Sequence, residues 1–491
     1  MSEQNIGLEI LEGIGEIKAV KAANTSLIEQ LSLPFPKTEI SDESNYREKM
    51  RELLSSDLDF HGQDSSYASH NFHSFPAKFP PQLPRAFIED LTERGEVVLD
   101  PMMGSGTSVL EAFLHGRQGI GVDIDPLALL LTQVKVTPLD KHKIKATCHK
   151  IIGGALDHLH QHGSSNGSLP ETWDKNTKKF VDYWFAPETQ RELLALLQEI
   201  NKIEDDKVRA FFELAFSAII ITKSGGVSLA FDLAHTRPHR AKVVYSKNRD
   251  IILGDDLADS NHPRIEFLTK TLRSPLDEFL KRVEKNLQGI VQRKPDQYPA
   301  ILKAGDAQSL PLEDASVDLI VTSPPYASNA IDYMRAHKFA LVWLGYSIDE
   351  LSERRGEYIG GESTSHFEFE TLPAFVEEVI ETISNLDKKR GWVLRRYYSE
   401  MTCTLREMYR VLRRGKGAVV VVGNSIMRGK DTQTAECLAE IGKAVGFEVP
   451  EIGVRNLDRN RRMLPAGHQI DTNSQIQQRM HEEYVIGFYK P

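Results

Sequence analysis

The residues best suited to do chemistry in this 491-residue chain follow an apolar run at 317–322; they are Ser323, Pro324, Pro325 and Tyr326. A run rich in β-branched residues that ends in two prolines predicts a strand that stops abruptly, because proline has no N–H for a ladder. The proline rings then keep the next backbone extended. A hydroxyl, proline carbonyls and an aromatic face would be fixed at a sheet edge. There they could accept hydrogen bonds from an exocyclic amino group and stack on its ring. The alternative interpretation is a strand followed by a proline-rich turn.

A second motif lies at 96–107, which reads Glu-Val-Val-Leu-Asp-Pro-Met-Met-Gly-Ser-Gly-Thr. It predicts a strand ending at Asp100, a turn containing Gly104 and Gly106, and a helix over Ser108–His115. The glycines allow positive φ and close approach of a ligand to the backbone. Free N–H groups at the start of the helix favour a carboxylate or phosphate. Such a turn by itself would suit NAD equally well.

The next segment, 119–126, predicts a second strand that ends in acids. In dinucleotide-binding folds an acid at this place accepts hydrogen bonds from ribose hydroxyls, and the spacing from Gly106 to Asp123 fits that role. Asp125 is followed by Pro126. This pair predicts an N-cap and the first turn of the next helix.

Together these segments resemble the amino-methylating DNA methyltransferases (N4-cytosine and N6-adenine type). The resemblance covers 70–136, 299–345 and 400–450. Three of the similar segments concern the cofactor: 75–81 resembles the segment beside its methionine end, 100–107 the cofactor motif, and 121–123 the ribose-binding strand end. The other three follow later in the chain. Segment 305–307 resembles the end of the third strand, 317–326 the catalytic strand, and 410–419 the helix-turn-strand after it.

The resemblance implies a Rossmann-like class I α/β fold with a twisted, mostly parallel sheet and an inserted, largely helical subdomain. It implies S-adenosyl-L-methionine as cofactor and double-stranded DNA as partner, with a cognate restriction or defence-system component as a further partner. It implies no metal. The cofactor-binding residues that it indicates are Phe75, Lys78, Phe79, Asp100, Pro101, Gly104, Ser105, Gly106, Thr107, Asp123, Asp306 and Ala307. Tyr326 is the expected stacking face for the base.

The residue before the two prolines bears on the target base. In this family an acid or Asn there is typical of adenine-N6 enzymes, and Ser is more typical of cytosine-N4 enzymes. A hydroxyl both donates and accepts, which suits the amino donor and ring-nitrogen acceptor of cytosine. The preferred prediction is cytosine N4, ahead of adenine N6. Two alternatives remain: amino-methylation of RNA, and a non-catalytic cofactor-binding subunit.

The bulk composition is that of an ordinary globular protein, with 40% hydrophobic and 26% charged residues. The length predicts two or three domains. Three cysteines without metal spacing, and a sequence without a spanning segment or signal peptide, predict a cytoplasmic protein. A net charge of −10 argues against indiscriminate nucleic-acid binding. It does not exclude DNA, because a phosphate footprint is local.

Four segments are expected along the chain: a helical N-terminal arm at 1–60, the first cofactor strands at 61–136, an inserted helical subdomain at 137–298, and the catalytic loop and C-terminal strands at 299–491. Apolar periodicity predicts helices over Leu8–Ala23, Glu43–Leu54, Ile144–His160, Pro187–Ile203, Lys207–Thr222 and Leu276–Gln292. The insertion is too long to be a simple loop. It is interpreted as a target-recognition surface, with a scaffold that closes over the cofactor as the alternative.

Several segments outside these motifs are candidates for DNA contact. Three basic segments, at 236–242, 388–396 and 455–462, are each either a phosphate contact or a solvated face. The glycine-punctuated segment 354–362 is a candidate lid over the DNA. Residues Tyr333, Arg335 and His337 are candidates for contact with the flipped base or a nearby phosphate, or for packing at a helix start.

Overall fold

The computed structural model describes residues 43–75, 78–162, 169–222, 224–231, 233, 238–258, 269–292, 294–295, 297–327, 333–361, 364, 367–457 and 482–491. Its strands are β1 (Val97–Asp100), β2 (Gln118–Asp123), β3 (Val243–Tyr245), β4 (Ile251–Leu253), β5 (Thr269–Thr271), β6 (Ile301–Ala304), β7 (Val317–Thr322), β8 (Leu412–Val422), β9 (Ile426–Met427), β10 (Lys430–Asp431), β11 (Ile452–Asn456) and β12 (Glu482–Lys490).

Helices cover both faces of the main sheet and fill the middle of the chain. They are α1 (Glu43–Leu54), α2 (Gln82–Leu91), α3 (Thr107–Leu114), α4 (Pro126–Val136), α5 (Lys141–His162), α6 (Lys175–Trp184), α7 (Pro187–Asn201), α8 (Asp206–Ile220), α9 (Asp255–Ala258), α10 (Pro275–Gly289), α11 (Tyr333–Leu341), α12 (Ile348–Arg354), α13 (Ala374–Leu386), α14 (Lys388–Val411) and α15 (Thr434–Val445). A 3₁₀ turn, Arg355–Glu357, follows α12. None of these described helices is long and apolar enough to cross a membrane.

The main sheet has seven strands in the order β11-β12-β8-β7-β1-β2-β6. All neighbouring pairs from β8 to β6 are parallel, and β12 runs antiparallel to both of its neighbours. Every residue of β1 and β7 is buried, as expected where both faces of a parallel sheet are covered. The predicted Rossmann-like α/β fold with a mostly parallel sheet is confirmed.

The order of the strands fixes where a ligand can bind. From β1 the chain goes outward to β2 and β6 on one side, and later to β7 and β8 on the other side. The crevice at the carboxyl ends of β1 and β7 is therefore a topological switch point, which is where ligands bind in open α/β sheets.

The predicted helix at Glu43–Leu54 is confirmed as α1, and it packs on the main sheet. Met50 and Leu54 are buried against Val419 and Val485. Gly487 allows this approach, since a Cβ there would lie 2.4 Å from Leu54 Cδ1. The predicted helix over Leu8–Ala23 lies outside the described residues.

The four helices predicted in the insertion are confirmed as α5, α7, α8 and α10. The structure adds α6 and a small three-stranded sheet in the order β4-β3-β5. Helix α6 buries only Thr177 and Val181, so its apolar period is too sparse to detect in the sequence. The strands of the small sheet have three residues each, too short for an alternating pattern.

The inserted helices share one hydrophobic core with α4 and α11, which lie outside the insertion. The ring of Phe339 lies 5.1 Å from Phe180 and 4.9 Å from Trp184, both in α6. The indole of Trp343 lies 5.2 Å from the Phe185 ring. Helix α11 and the turn that follows it are thus held by the insertion.

Candidate active site

The carboxyl ends of β1, β2, β6 and β7 open into one cavity. Most site residues expected from the sequence line it: Phe75, Lys78, Phe79, Asp100, Pro101, Gly104, Ser105, Thr107, Asp123, Asp306, Ala307, Ser323 and Pro325. Three expected residues, Gly106, Pro324 and Tyr326, lie next to it in sequence but do not line it. The cavity brings together segments from three distant parts of the chain.

The turn between β1 and α3 needs glycine for steric reasons. Gly106 has φ +70°, and a Cβ there would lie 2.3 Å from the Thr132 hydroxyl of α4. The turn is also held by Lys135 of α4, whose buried side-chain nitrogen donates to the Ser105 carbonyl at 2.6 Å. The loop that faces the cavity is therefore held in one shape before any ligand arrives.

Asp123 ends β2 and closes the same loop. Its carboxylate accepts from the Gly104 N–H at 2.8 Å and from the Asp125 N–H at 2.9 Å. Burial, and then the negative charge of Asp125, raise the pKa of Asp123 to about 7. Its remaining acceptor capacity faces the cavity, as a ribose-binding carboxylate would.

Asp125 is the N-cap that the sequence predicts. Its side chain accepts from the Leu127 N–H at 2.8 Å, and Pro126 occupies the first turn of α4. The other carboxylate oxygen contacts His337 Nδ1 at 2.5 Å. Asp125 also lines the cavity. The same side chain therefore caps α4, contacts α11 through His337 and borders the site.

Asp100 joins the two strands of the switch point. The Thr322 hydroxyl at the end of β7 donates to the Asp100 carboxylate at 2.7 Å. Burial raises the pKa of Asp100 to about 6, while the hydrogen bonds from Thr322 and Ser108 oppose that shift. This hydrogen bond joins the end of β1, next to the glycine turn, to the end of β7, next to Ser323.

Asp306 follows β6 at the far side of the cavity. Its carboxylate accepts from the Gln308 N–H at 2.9 Å and from the Gln308 side-chain amide. Asp306 is half-buried and Ala307 is buried. A carboxylate at this place can accept from an amino group of a purine ring.

Part of the cavity wall is aromatic. Phe75 is stacked on Tyr333 with ring centroids 5.2 Å apart, and its ring also lies 5.2 Å from His337. Tyr333 and His337 had alternative interpretations, and the described contacts put both rings in packing against Phe75. Arg335 is not among the residues that line the cavity.

Further lining residues were not among the site residues expected from the sequence; they include Met102, Met103, Ile124, Gly305, Glu357, Tyr358 and Ile359. The last three belong to the segment that was interpreted as a lid over the DNA. The Gly360 N–H donates to the buried Glu400 carboxylate of α14 at 2.7 Å, which fastens this segment beside the cavity. The sequence signal for this segment was an aromatic residue, Tyr358, between Gly356 and Gly360.

Ser323 is half-buried and stands at the end of β7, inside the cavity. Tyr326 turns away from the cavity, and its ring packs on the hydrophobic core of the main sheet. The Tyr326 hydroxyl donates to Glu483 Oε1 of β12 at 2.9 Å. The segment 323–326 is therefore held at its far end by β12.

The three basic segments have different surroundings. Arg395 is paired with Glu377 and Arg396 with Glu400, so two cations of 388–396 serve ion pairs. Arg455 is buried and paired with Glu483. Residues 234–237 and 458–481 lie outside the described part. The described end of the first segment lines a second cleft, formed by Tyr183, Trp184, Phe231, Pro238, His239, Arg240, Ala241, Lys242, Leu253, Gly254, Asp256 and Leu257.

The donor set of the cavity fits S-adenosylmethionine. Carboxylates stand at the ends of β1, β2 and β6, a glycine turn leads to a helix start, and an aromatic wall closes one side. Over the described residues, no three His, Cys, Asp or Glu side chains are grouped as a metal site requires.

Comparison with known proteins shows similarity to DNA methyltransferases. The profile of the N6/N4 DNA methylases matches residues 35–133. The Type II methyltransferase M.MvaI of Kocuria varians is 24% identical over 416 residues, which cover 79% of this chain and 83% of that relative. The Type II methyltransferase M.AvaI of Nostoc sp. is 22% identical over 434 residues, which cover 84% and 86%. A solved TehB-like SAM-dependent methyltransferase of Corynebacterium glutamicum, 11% identical, covers 91% of this chain and 98% of its own with a TM-score of 0.26. In motif order and in this profile match, the chain is similar to the S-adenosylmethionine-dependent DNA amino-methyltransferases of the N4/N6 type.

Proposed function

We propose that this protein is a site-specific methyltransferase that modifies the N4 amino group of cytosine in double-stranded DNA. The observation that carries the proposal is Ser323, a neutral hydroxyl that ends β7 and lines the cavity. Cytosine presents an amino donor beside a ring-nitrogen acceptor, and a hydroxyl can pair with both. A carboxylate in that place would repel the lone pair of the ring nitrogen.

The residues that would hold the cofactor follow from the donor set. We assign Asp123 to the ribose hydroxyls, Asp306 to the adenine amino group, and the turn at 100–107 to the methionine part, with Phe75 and Lys78 beside it. Asp123 and Asp306 stand at the ends of neighbouring strands, as a nucleoside that spans them requires. When bound, S-adenosylmethionine supplies an electrophilic methyl group.

The protein's own contribution to methyl transfer is orientation. An amino group conjugated with its ring is a poor nucleophile, because its lone pair is delocalised. The Ser323 hydroxyl and the Pro324 carbonyl accept the two amino hydrogens and so turn the lone pair towards the methyl group. No covalent nucleophile is needed for this chemistry. Accordingly, Cys148, Cys403 and Cys437 are all absent from the cavity lining.

The DNA must also be held outside the cavity, because the target base has to leave the stack to be reached. We propose that the second cleft, in the insertion, contacts the duplex. Tyr183 is 52% exposed, and the Arg240 guanidinium lies 4.5 Å above its ring. His239 and Lys242 are exposed at the same cleft. Aromatic faces with adjacent cations suit bases and phosphates.

The target base is tested by digestion of methylated DNA to nucleosides. Plasmid DNA from a host that lacks other methyltransferases but expresses this protein is analysed by mass spectrometry. N4-methylcytosine is the expected product. N6-methyladenine without N4-methylcytosine would refute the cytosine proposal and support the adenine alternative. A modified base found only in RNA would overturn the DNA assignment for this chain.

The role of Ser323 is tested with two variants. Ser323→Ala should lower turnover by about a hundredfold, as for one lost transition-state hydrogen bond, with unchanged cofactor affinity. Ser323→Asp should not restore cytosine activity, and incorporation of labelled methyl groups into adenine-only DNA would show whether it admits adenine. Full activity of Ser323→Ala would mean that Ser323 is structural.

Because the relatives named above are Type II methyltransferases, the proposal includes a cognate restriction endonuclease as partner. The protein would then protect DNA from that nuclease. Plasmid methylated by this protein should resist cleavage by the partner enzyme, and unmethylated plasmid should be cut.

A further inference from the structure

Glu111 is a wholly buried carboxylate of α3 that is not among the site residues expected from the sequence. Its Oε1 atom accepts from the Tyr67 hydroxyl at 2.9 Å and lies 2.7 Å from His70 Nε2. His115 Nε2 lies 3.4 Å from the other oxygen. Burial alone would raise the pKa of Glu111, but the contacts with His115, His70 and Tyr67 lower it below its usual value. The side chain is therefore a buried anion that holds the segment around His70 against α3.

His70 connects this anchor to the cavity. Its carbonyl accepts from the Lys78 ammonium at 2.9 Å, and Lys78 lines the cavity. The same segment is tied to α4, because the Ser69 hydroxyl donates to the Lys135 carbonyl at 2.8 Å. Each step from Glu111 to Lys78 is thus a hydrogen bond, and His70 contributes its ring to one step and its carbonyl to the other.

Lys78 brings a charge to the cavity that its other walls lack. Five carboxyl side chains line the cavity: Asp100, Asp123, Asp125, Asp306 and Glu357. Lys78 is the one cationic side chain among the described residues that line it. S-adenosylmethionine carries a single anionic group, the carboxylate of its methionine part, which a cationic donor binds best. The Lys78 ammonium keeps donors for that carboxylate, because the His70 carbonyl takes only one of its hydrogens.

We propose that Glu111, acting through His70, is a positioning residue that holds Lys78 in place as the counter-ion of the cofactor's carboxylate. The inference rests on the proposed placement of Lys78 beside the methionine part of the cofactor. A lysine side chain has many rotamers, so an ammonium that the His70 carbonyl already fixes loses less conformational entropy when the carboxylate binds. The position of that carbonyl depends in turn on the buried Glu111 carboxylate. The adenosine part of the cofactor lies outside this series of contacts.

The series of contacts predicts a loss of affinity that is confined to one part of the ligand. The probes are S-adenosylhomocysteine and 5′-methylthioadenosine, which share the adenosine and the sulfur but differ in the amino-acid part. Lys78→Met should weaken S-adenosylhomocysteine binding by about tenfold in calorimetric titration, the effect of one charge-assisted hydrogen bond. Glu111→Ala should weaken it by about fivefold, since the ammonium remains but is no longer fixed. Neither variant should change the affinity for 5′-methylthioadenosine.

Glu192→Ala is the matched control, because Glu192 also holds two segments together. Its carboxylate accepts from the Ser274 hydroxyl at 2.6 Å and from the Leu276 N–H at 3.1 Å, and it is not among the residues that line the cavity. Both glutamate variants should melt at a lower temperature than the wild type, but only Glu111→Ala should lower the affinity for S-adenosylhomocysteine relative to 5′-methylthioadenosine. An equal loss of affinity for both ligands in Glu111→Ala would mean that Glu111 only stabilises the fold, which overturns the inference.

A double-mutant cycle tests whether Glu111 acts through Lys78. In the Lys78→Met background there is no ammonium to position, so Glu111→Ala should cause no further loss of S-adenosylhomocysteine affinity. Losses that multiply to about fiftyfold would refute the proposed route through Lys78. Glu111→Gln fits the same space and keeps one acceptor oxygen, so the cycle can be completed with it if Glu111→Ala does not fold. Its loss should be smaller than that of Glu111→Ala, and absent in the Lys78→Met background.

The single variants separate this inference from the proposed function, and the titrations contain no DNA, so the identity of the target base does not affect them. A weakened Lys78→Met together with a Glu111→Ala of wild-type affinity would refute the positioning by Glu111 and keep Lys78 in the cofactor site. A Lys78→Met of wild-type affinity would remove Lys78 from that site and refute both.

Discussion

The raised pKa of the Asp123 carboxyl predicts how cofactor binding depends on pH. Its carboxyl has a pKa of about 7 in the protein, raised mainly by burial. Ribose hydroxyls donate to the ionised form, so binding should favour that form. About 90% of the Asp123 carboxyls are ionised at pH 8 and about 10% at pH 6, which follows from that pKa. We therefore expect S-adenosylmethionine affinity to fall by at most about tenfold between pH 8 and pH 6.

The ligand-free protein should respond to pH in the opposite direction. Folding raises the pKa of this carboxyl from 3.8 to about 7. The protonated carboxyl therefore stabilises the folded state, and this contribution is fully present at pH values below the pKa of the unfolded state. That contribution is lost as the pH rises through about 7. The melting temperature should thus decrease over this window while cofactor affinity increases.

The assay is calorimetric titration with S-adenosylmethionine at several pH values between 6 and 8, together with thermal melting of the free protein. Asp123→Asn is the matched control, because its amide cannot ionise. This variant should bind more weakly by about 1–3 kcal/mol at pH 8 and retain only the pH dependence of the cofactor's own groups. Equal pH dependence in wild type and Asp123→Asn would refute the assignment of Asp123 to the ribose.

Three further predictions concern other parts of the molecule. Asp306→Ala should weaken cofactor binding in the same titration without changing the melting temperature by more than a few degrees, since Asp306 is half-buried. Gly106→Ala should lower both stability and cofactor affinity, because its Cβ would lie 2.3 Å from the Thr132 hydroxyl; Thr132→Ser should not rescue it, because the hydroxyl stays. Lys242→Ala should weaken DNA binding and reduce the slope of log affinity against log salt by about 1, whereas Lys430→Ala, an exposed lysine on β10, should leave the slope unchanged.

The sequence revealed the strands and turns of the site because each carries a local signal. Each signal spans only a few residues: a β-branched run before Ser323, glycines at 104 and 106, and acids at the ends of β2 and β6. The N-cap at Asp125 could be predicted for the same reason. These signals were sufficient for the fold class and for most of the cavity lining.

The residues that sequence reasoning missed reach the site through tertiary contacts. Tyr358 lines the cavity because its segment is fastened to Glu400, which lies in a helix more than forty positions later. Glu483 meets Tyr326 only because β12 inserts antiparallel beside β8. The partners in each contact lie far apart in the chain, so no local sequence pattern predicts either contact.

The core that α11 shares with the insertion has a consequence for engineering this protein. A chimera that exchanged residues 137–298 for the equivalent part of a relative would replace α6 and remove Phe180, Trp184 and Phe185 from around Phe339 and Trp343. It would also loosen His337, which sits on the same helix and contacts Asp125 at the cofactor cavity. The insertion is therefore not an independently exchangeable unit, and a working graft must carry α11 with it.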